Sequence, residues 1–159
     1  MQNTIFSGKV RARVCGLLIE KGDLLLLKHQ GIGLSSFIWS PPGGGIEFGM
    51  SAEDSLIKEY QEETGLEVMV QQFLFVNEYI DIHHHAVELF FSVKKTGGQI
   101  TLGRDPELRA DQQILTEIRY FKESELREVP DVEKHNIFHN CSAYTTITDK
   151  TGYFRFINK

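Results

Sequence analysis

Apolar and polar residues alternate over positions 10–18, and a period of two is typical of a β-strand. A turn sequence, Glu20-Lys21-Gly22-Asp23, follows, and the apolar run 24–27 comes after it, so the two segments predict a hairpin. Comparable patterns predict further strands over 68–76, 87–93, 114–121 and 153–157. The segments 29–37, 77–86 and 103–113 are predicted to be loops.

Between two of these strands the pattern changes to that of a helix. Ser51 and Asp54 form an S-x-x-D capping pattern, and Gly65 supplies a left-handed stop, so a helix should cover residues 52–64. A second helix is expected over residues 131–142. Helices and strands therefore mix along the chain, which predicts one α/β domain over residues 1–159.

Composition and charge narrow the class of protein. The chain has 159 residues, 41% of them hydrophobic and 25% charged, which is typical of a globular domain. A net charge of −5 argues against binding a nucleic acid polymer through a basic surface. No apolar run approaches the roughly 18 residues of a membrane span, and the N-terminus lacks a signal-peptide pattern. Cys15 and Cys141 are far apart and fit reduced thiols, so we expect a cytoplasmic protein.

Three acids crowd one face of the first predicted helix. Glu59 precedes Glu62 and Glu63 by three and four residues, which brings their Cβ atoms to about 5–6 Å, where like charges repel. A solvated acidic face is one explanation. A bound Mg²⁺ ion is another, because this ion takes oxygen ligands and tolerates several carboxylates beside a phosphate. The run Gly43-Gly44-Gly45 lies just upstream, where a backbone without side chains can approach a ligand closely.

Residues 44–66 resemble the Nudix box. That pattern runs Gly, five residues, Glu, seven residues, Arg-Glu-aliphatic, one residue, Glu-Glu, one residue, Gly-aliphatic. The positions that match are Gly44, Glu59, Glu62, Glu63, Gly65 and Leu66, after the lead-in WSPPGG. Three positions depart from the box: Met50 stands for its first Glu, Lys58 for its Arg, and Tyr60 for an aliphatic residue.

The resemblance implies a fold, a chemistry and a ligand set. The fold would be a Nudix-like α/β/α sandwich with a mixed sheet. The activity would be Mg²⁺-dependent hydrolysis, with Mn²⁺ as an alternative metal, of a nucleoside diphosphate-linked small molecule. Nucleoside triphosphates come first as substrates, and ADP-ribose or another sugar nucleotide next. The ligands would be Glu59, Glu62, Glu63 and the carbonyl of Gly44, with Glu59 also a candidate general base. Family habit also suggests a homodimer.

The departures from the box suggest an alternative function, although the retained acids Glu59, Glu62 and Glu63 argue against it. Lys58 is a candidate catalytic residue. It keeps the positive charge of the Arg in the box but cannot form the bidentate hydrogen bonds of a guanidinium group. Glu47 or Glu53 could stand in for the acid missing at Met50. A domain that has lost its chemistry would be a nucleotide-binding or regulatory module. A third interpretation treats the box as accidental and the chain as a structural domain with an acidic helix.

Residues outside the box are candidates for contacting the substrate or acting as a base. Arg11 and Arg13 share one face of the first strand and could reach a phosphate, although a solvent-facing position is equally consistent. The backbone of Gly45 could also contact substrate. The candidate bases are Glu78, Glu88, Glu107, Asp111 and Glu117, of which Glu88 lies in mid-strand, opposite an apolar face.

Two further groups of residues carry alternatives. The run His83-His84-His85 could bind a metal or a phosphate, but neighbouring strand residues point to opposite faces, so all three cannot converge. Several aromatic side chains could stack on a base or pack in the core. They are Phe37, Phe75, Tyr79 and Phe90.

Overall fold

The computed structural model describes residues 7–32, 35–106 and 108–157. The strands are β1 (Val10–Glu20), β2 (Asp23–Gln30), β3 (Phe37–Ser40), β4 (Gly43–Gly45), β5 (Leu66–Ile80), β6 (His85–Gly98), β7 (Leu115–Phe121) and β8 (Gly152–Ile157). The α-helices are α1 (Ala52–Thr64), α2 (Glu123–Glu128) and α3 (Thr145–Thr148). Short 3₁₀ turns cover Ala110–Gln112, Asp131–Glu133 and Asn136–Phe138.

The strands form a mixed sheet in the order β3-β2-β1-β6-β5-β8, with β4 paired to β1 and β7 paired to β2. The pairs β1–β6 and β5–β8 are parallel, and the other pairs are antiparallel. In the central parallel pair, Arg13 on β1 lies beside Glu88 on β6, and on its other side Arg13 faces Gly45 of β4. The topology thus brings two distant candidate residues together at one point.

Each face of the sheet is covered by its own apolar layer. On one face, α1 buries Leu56 and Tyr60 against Val14 and Leu18. On the other face, apolar residues of α2, of the 136–138 turn and of α3 pack against the sheet. They are Leu126, Ile137, Phe138 and Ile147. The predicted α/β/α sandwich with a mixed sheet is confirmed.

Local signals in the sequence predicted the first helix and the first hairpin correctly. Helix α1 covers residues 52–64, the Ser51 hydroxyl accepts the Asp54 N–H at 3.0 Å, and Gly65 ends the helix with φ 69°. The hairpin between β1 and β2 turns at Lys21 and Gly22, whose φ angles are 52° and 87°. Two positive φ angles in a two-residue turn match the right-handed twist of the flanking strands.

The predicted helix over 131–142 is wrong. Two 3₁₀ turns replace it, because residues between them are held by the sheet rather than by a helical ladder. Lys134 forms a parallel bridge with Trp39, and the His135 N–H donates to the Trp39 carbonyl at 2.8 Å. The predicted loop 77–86 is shorter than expected, since β5 extends to Ile80 and β6 begins at His85.

Tyr60, the aromatic residue in the box-like segment, is fully buried. Its hydroxyl donates to the Gly16 carbonyl at 2.7 Å, and a Cβ added at Gly16 would lie 2.6 Å from a ring carbon of Tyr60. The Tyr60 ring on α1 therefore fits because Gly16 on β1 has no side chain.

Two further observations concern the cysteines and the helices. Cys15 and Cys141 are both free. Within the described ranges, we found no helix of the length and apolarity that a membrane crossing requires.

Candidate active site

A cleft is bounded by one face of β1 and β6, by β4 and by α1. The predicted residues that line it are Arg11, Arg13, Gly44, Gly45, Glu59, Glu63 and Glu88. Residues from other segments complete it, among them His29, Tyr79, Asp105 and His135. The sheet topology therefore gathers residues from opposite ends of the chain around the glycine run.

Two of the three crowded acids meet the glycine run inside this cleft. The Gly43 N–H donates to Oε2 of Glu63 at 3.0 Å. At Gly44 the Glu59 carboxylate is so close that an added Cβ would lie 2.1 Å from its Oε1. Burial raises the pKa of Glu63 well above its ordinary value, and the neighbouring Glu59 raises it further. The absence of a side chain at Gly44 is thus what lets the Glu59 carboxylate reach this point, and Glu63 is held there by the Gly43 N–H.

Glu62 lies differently. It is half-buried, does not line the cleft, and has Oε1 at 3.7 Å from Nζ of Lys58. Among the described side chains, no three carboxylate, imidazole or thiol groups are already gathered around one point as metal ligands. All four predicted ligands, Glu59, Glu62, Glu63 and the Gly44 carbonyl, therefore stay predictions.

The residues present nevertheless fit a divalent cation. Glu63 is only 3% exposed and has a second carboxylate, Glu59, close enough to disfavour its charge. A cation between them would reverse both the burial cost and the repulsion. Carboxylate oxygens are the ligands that Mg²⁺ and Mn²⁺ prefer. The chemistry of the donors thus agrees with the metals predicted from the sequence.

Lys58 has an acidic partner despite Met50. Its ammonium group hydrogen-bonds the Glu47 carboxylate, and this contact is the main cause that raises the pKa of Lys58. The chain turns at 47–50, where the Met50 N–H donates to the Glu47 carbonyl at 3.1 Å. Glu53 is exposed in the first turn of α1. Glu47, rather than Glu53, therefore supplies the carboxylate opposite position 58.

Glu88 occupies a buried hydrogen-bonded position in the cleft. Its Oε2 accepts from Nδ2 of Asn77 at 2.9 Å and lies 3.0 Å from Nε2 of His135. Its Oε1 lies 3.8 Å from Nε of Arg13. Burial alone would raise the pKa of Glu88, but His135 and the other partners outweigh it and lower the pKa to about 2. Glu88 is therefore ionised at neutral pH and is a weak base.

Two nitrogen-bearing side chains near Glu88 have unsatisfied atoms. Counting only partners within the described ranges, neither Nε of Arg13 nor Nδ1 of His29 has a hydrogen-bond partner. Burial opposes the charge of Arg13, yet Coulombic attraction to Cys15, Glu88 and other acids raises its pKa. Burial, and then the charge of Arg13, lower the pKa of His29 to about 4, so this imidazole is neutral at pH 7.

The structure separates the candidate bases. Glu88 lines the cleft, whereas Glu78 does not, and Glu78 bonds Tyr153 and His85 instead. Two others are exposed and paired at the surface. They are Asp111, 3.3 Å from Arg109, and Glu117, 4.0 Å from Lys28. Glu107 lies outside the described residues.

The histidine run and the aromatic candidates also separate. His84 and His85 line the cleft, whereas His83 does not. Phe75 and Phe90 stack on each other in the core, with ring centroids 4.8 Å apart. Phe37 packs against the same core, below the ammonium group of Lys28. Of the four aromatic candidates, Tyr79 alone is in the cleft.

Sequence reasoning missed His29, Asp105 and His135. His135 fell inside the wrongly predicted helix, and Asp105 is one of several charges in a segment that was predicted to be a loop. His29 stands at the end of an apolar run with no motif around it. Only the pairing of β2, β3 and the 131–138 segment around Trp39 shows that His29 and His135 share one cleft, which Asp105 also lines.

Comparison with known proteins places the chain in a family. The model of the NUDIX domain matches residues 9–139, so the chain belongs to the Nudix family. A protein of Methanocaldococcus jannaschii named ADP-ribose pyrophosphatase is 29% identical over 94 residues, which are 58% of this chain and 55% of that protein. A Nudix hydrolase of Bacillus subtilis, named as uncharacterised, is 45% identical over 69 residues, 43% of this chain and 41% of that protein.

Solved structures agree on the fold. A NUDIX hydrolase from Nitrosomonas europaea superposes with a TM-score of 0.69 at 17% identity, over 89% of this chain and 93% of that one. The chain spans about half the length of the curated relatives it matches.

Proposed function

We propose that this protein hydrolyses the diphosphate linkage of a nucleoside diphosphate-linked small molecule in the presence of Mg²⁺. The observation that supports this most is the pair of carboxylates, Glu59 and Glu63, held against the glycine run in the cleft. A solvated acidic face would leave both side chains in water. Glu63 is instead buried, at a place where a buried charge needs a cation.

The residues of the chain would divide the work by position. Mg²⁺, when bound, supplies charge neutralisation at phosphate oxygens and lowers the pKa of water. Glu59, Glu62, Glu63 and the Gly44 carbonyl would hold it, and Glu59 is also the proposed acceptor of a proton from the attacking water. Arg11, Arg13 and the Gly45 backbone, which line the same cleft, would bind phosphate oxygens that do not contact the metal ion. The low pKa of Glu88 argues against a role for it as the base.

For the substrate, ADP-ribose or a related sugar nucleotide is the first to test. The sequence alone puts nucleoside triphosphates first, but the similarity to a protein named ADP-ribose pyrophosphatase favours the sugar nucleotide. The cleft also offers Tyr79 and histidines at one side, which suits a substrate with a second group beyond the diphosphate. Nucleoside triphosphates are the second candidate.

The test is a panel of nucleoside triphosphates and sugar nucleotides with Mg²⁺ or Mn²⁺, with release of phosphate-containing products as the readout. The wild type should turn over at least one substrate, and chelation of the metal should abolish turnover. Glu63→Gln should lose at least about a hundredfold in kcat, as expected for removal of a buried metal ligand. Glu117→Gln removes an exposed carboxylate outside the cleft and should keep the wild-type rate.

Other results would favour the alternatives. Nucleotide binding without turnover on any substrate would indicate a binding or regulatory module. If the protein binds neither Mg²⁺ nor any nucleotide, that result would indicate a structural domain.

We also propose the features that the sequence predicts beyond the reaction. They are a cytoplasmic location, a homodimer, a single domain over residues 1–159, and partners restricted to small nucleotides rather than nucleic acid polymers. Light scattering coupled to size-exclusion chromatography tests the dimer.

A further inference from the structure

The contacts of Glu88 differ from those expected for a catalytic carboxylate. Oε2 is used by two donors, Asn77 and His135, while Oε1 faces Arg13. The residue is only 5% exposed, although it borders the cleft. A carboxylate with this many fixed partners is well placed to orient another side chain rather than to accept a proton from water.

The hydrogen bonds of His135 determine which of its ring nitrogens is the donor and which is the acceptor. Its Nδ1 accepts the N–H of Ile137 at 3.3 Å, so Nε2 carries the proton that is donated to Glu88. The backbone of His135 is held in turn, because its N–H donates to the Trp39 carbonyl at 2.8 Å. The imidazole is therefore a rigid donor that holds one oxygen of Glu88 in place.

The other end of the network is Arg13, which has the position of an anion-binding residue. Its strand neighbours are Glu88 on one side and Gly45 on the other, so no side chain from β4 covers it. Within the described part of the chain its Nε lacks a hydrogen-bond partner. Arg13 lines the same cleft as Glu88 and as the carboxylates that would hold the metal, Glu59 and Glu63, and its charge interacts with all three.

We propose that Arg13 binds a phosphate group of the substrate, and that Glu88 and His135 are positioning residues that hold the Arg13 guanidinium toward the cleft. This inference rests on the proposed function, since it assumes a diphosphate substrate. Glu88 would then contribute to binding through Arg13 and would take no part in proton transfer.

The experiment measures binding and turnover separately. Affinity for methylenediphosphonate, a diphosphate analogue that resists hydrolysis and carries no base, is measured by calorimetry with Mg²⁺ present. Values of kcat and KM are measured on the best substrate of the nucleotide panel. Arg13→Ala should weaken binding of the analogue by about ten- to a hundredfold, the range for a charge-assisted hydrogen bond. Arg127→Ala, at an exposed position of α2, is the control and should not change it.

The diagnostic result comes from the double variant. Glu88→Gln should weaken binding of the analogue by about tenfold and raise KM, with kcat within about threefold of wild type. The double variant Arg13→Ala/Glu88→Gln should bind no more weakly than Arg13→Ala alone, because Glu88 acts through Arg13. Glu117→Gln is the matched carboxylate control.

If Glu88→Gln fails to fold, two variants of His135 test the same inference. His135→Gln keeps a side-chain N–H donor and should retain most of the affinity, whereas His135→Leu removes the donor and should lose affinity as Glu88→Gln does. Multiplicative losses in the double variant would overturn the inference, as would a Glu88→Gln protein that binds normally but loses kcat. A wild type that neither binds nor hydrolyses any compound would instead overturn the proposed function.

Discussion

The buried imidazole of His29 should make the protein sensitive to mild acid. In the folded state burial and the neighbouring Arg13 lower its pKa to about 4, from an ordinary value of 6.5. The unfolded chain therefore binds a proton at a higher pH than the folded chain does. Stability contributed by the neutral ring is fully present above pH 6.5 and is lost as the pH falls toward 4.

The magnitude follows from the two pKa values. Between pH 7 and pH 5 the unfolded His29 becomes almost fully protonated while the folded one stays almost neutral. This difference corresponds to a loss of about 2 kcal/mol in the free energy of unfolding. Glu88 and Glu63 also have shifted pKa values, but both are present in the wild type and in His29→Gln, so the comparison of these two proteins isolates the contribution of His29.

Urea denaturation followed by the fluorescence of Trp39, which is buried and is the only tryptophan in the chain, measures the effect at pH 7 and pH 5. The wild type should lose about 2 kcal/mol more than His29→Gln between these two pH values. His139→Gln, which removes a histidine outside the cleft, shows how much any histidine deletion changes the pH dependence. An equal loss in wild type and His29→Gln would refute the reasoning.

Three further predictions test the site and its support. Gly44→Ala should lower kcat at least about tenfold and raise the Mg²⁺ concentration needed for turnover, because the new methyl group displaces Glu59; equal metal dependence would contradict this. As a single substitution, Met50→Glu should leave turnover nearly unchanged, because Glu47 already supplies a carboxylate to Lys58. In the Glu47→Gln background, Met50→Glu should restore the activity that Glu47→Gln loses, and steady-state kinetics measures both effects. Tyr60→Phe should cost about 1–2 kcal/mol in denaturant unfolding, because it leaves a buried main-chain carbonyl unpaired.

The parts of the fold that the sequence predicted are those set by neighbouring residues. Helix α1 begins at a serine cap and ends at a glycine in the left-handed conformation, and both signals lie within the segment itself. The hairpin at Lys21 and Gly22 is similarly local. The segment 131–142 was predicted wrongly because its conformation depends on Trp39, which is more than ninety residues away in the chain.

The site follows the same division between local and distant information. The spacing of Glu59 and Glu63 after the glycine run could be recognised from the sequence, because one loop and one helix carry them. That Arg13 faces Glu88 depends on the parallel pairing of β1 and β6, and no local pattern encodes that register. Glu47 and Glu53 were both candidates to stand in for the acid missing at Met50, and only the folded turn shows that Glu47 pairs with Lys58.

The last turn of α1 has no separate cap beyond Gly65, and the chain after β6 completes it. The N–H groups of Thr101 and Gly103 donate to the carbonyls of Thr64 and Glu63, and Gly103 lies so close that a Cβ there would be 1.7 Å from the Glu62 carbonyl. An attempt to alter specificity by exchanging the segment after β6 with that of a relative would therefore also move the acidic helix. Such chimaeras should keep residues 101–103 from this chain, and begin the exchange beyond them.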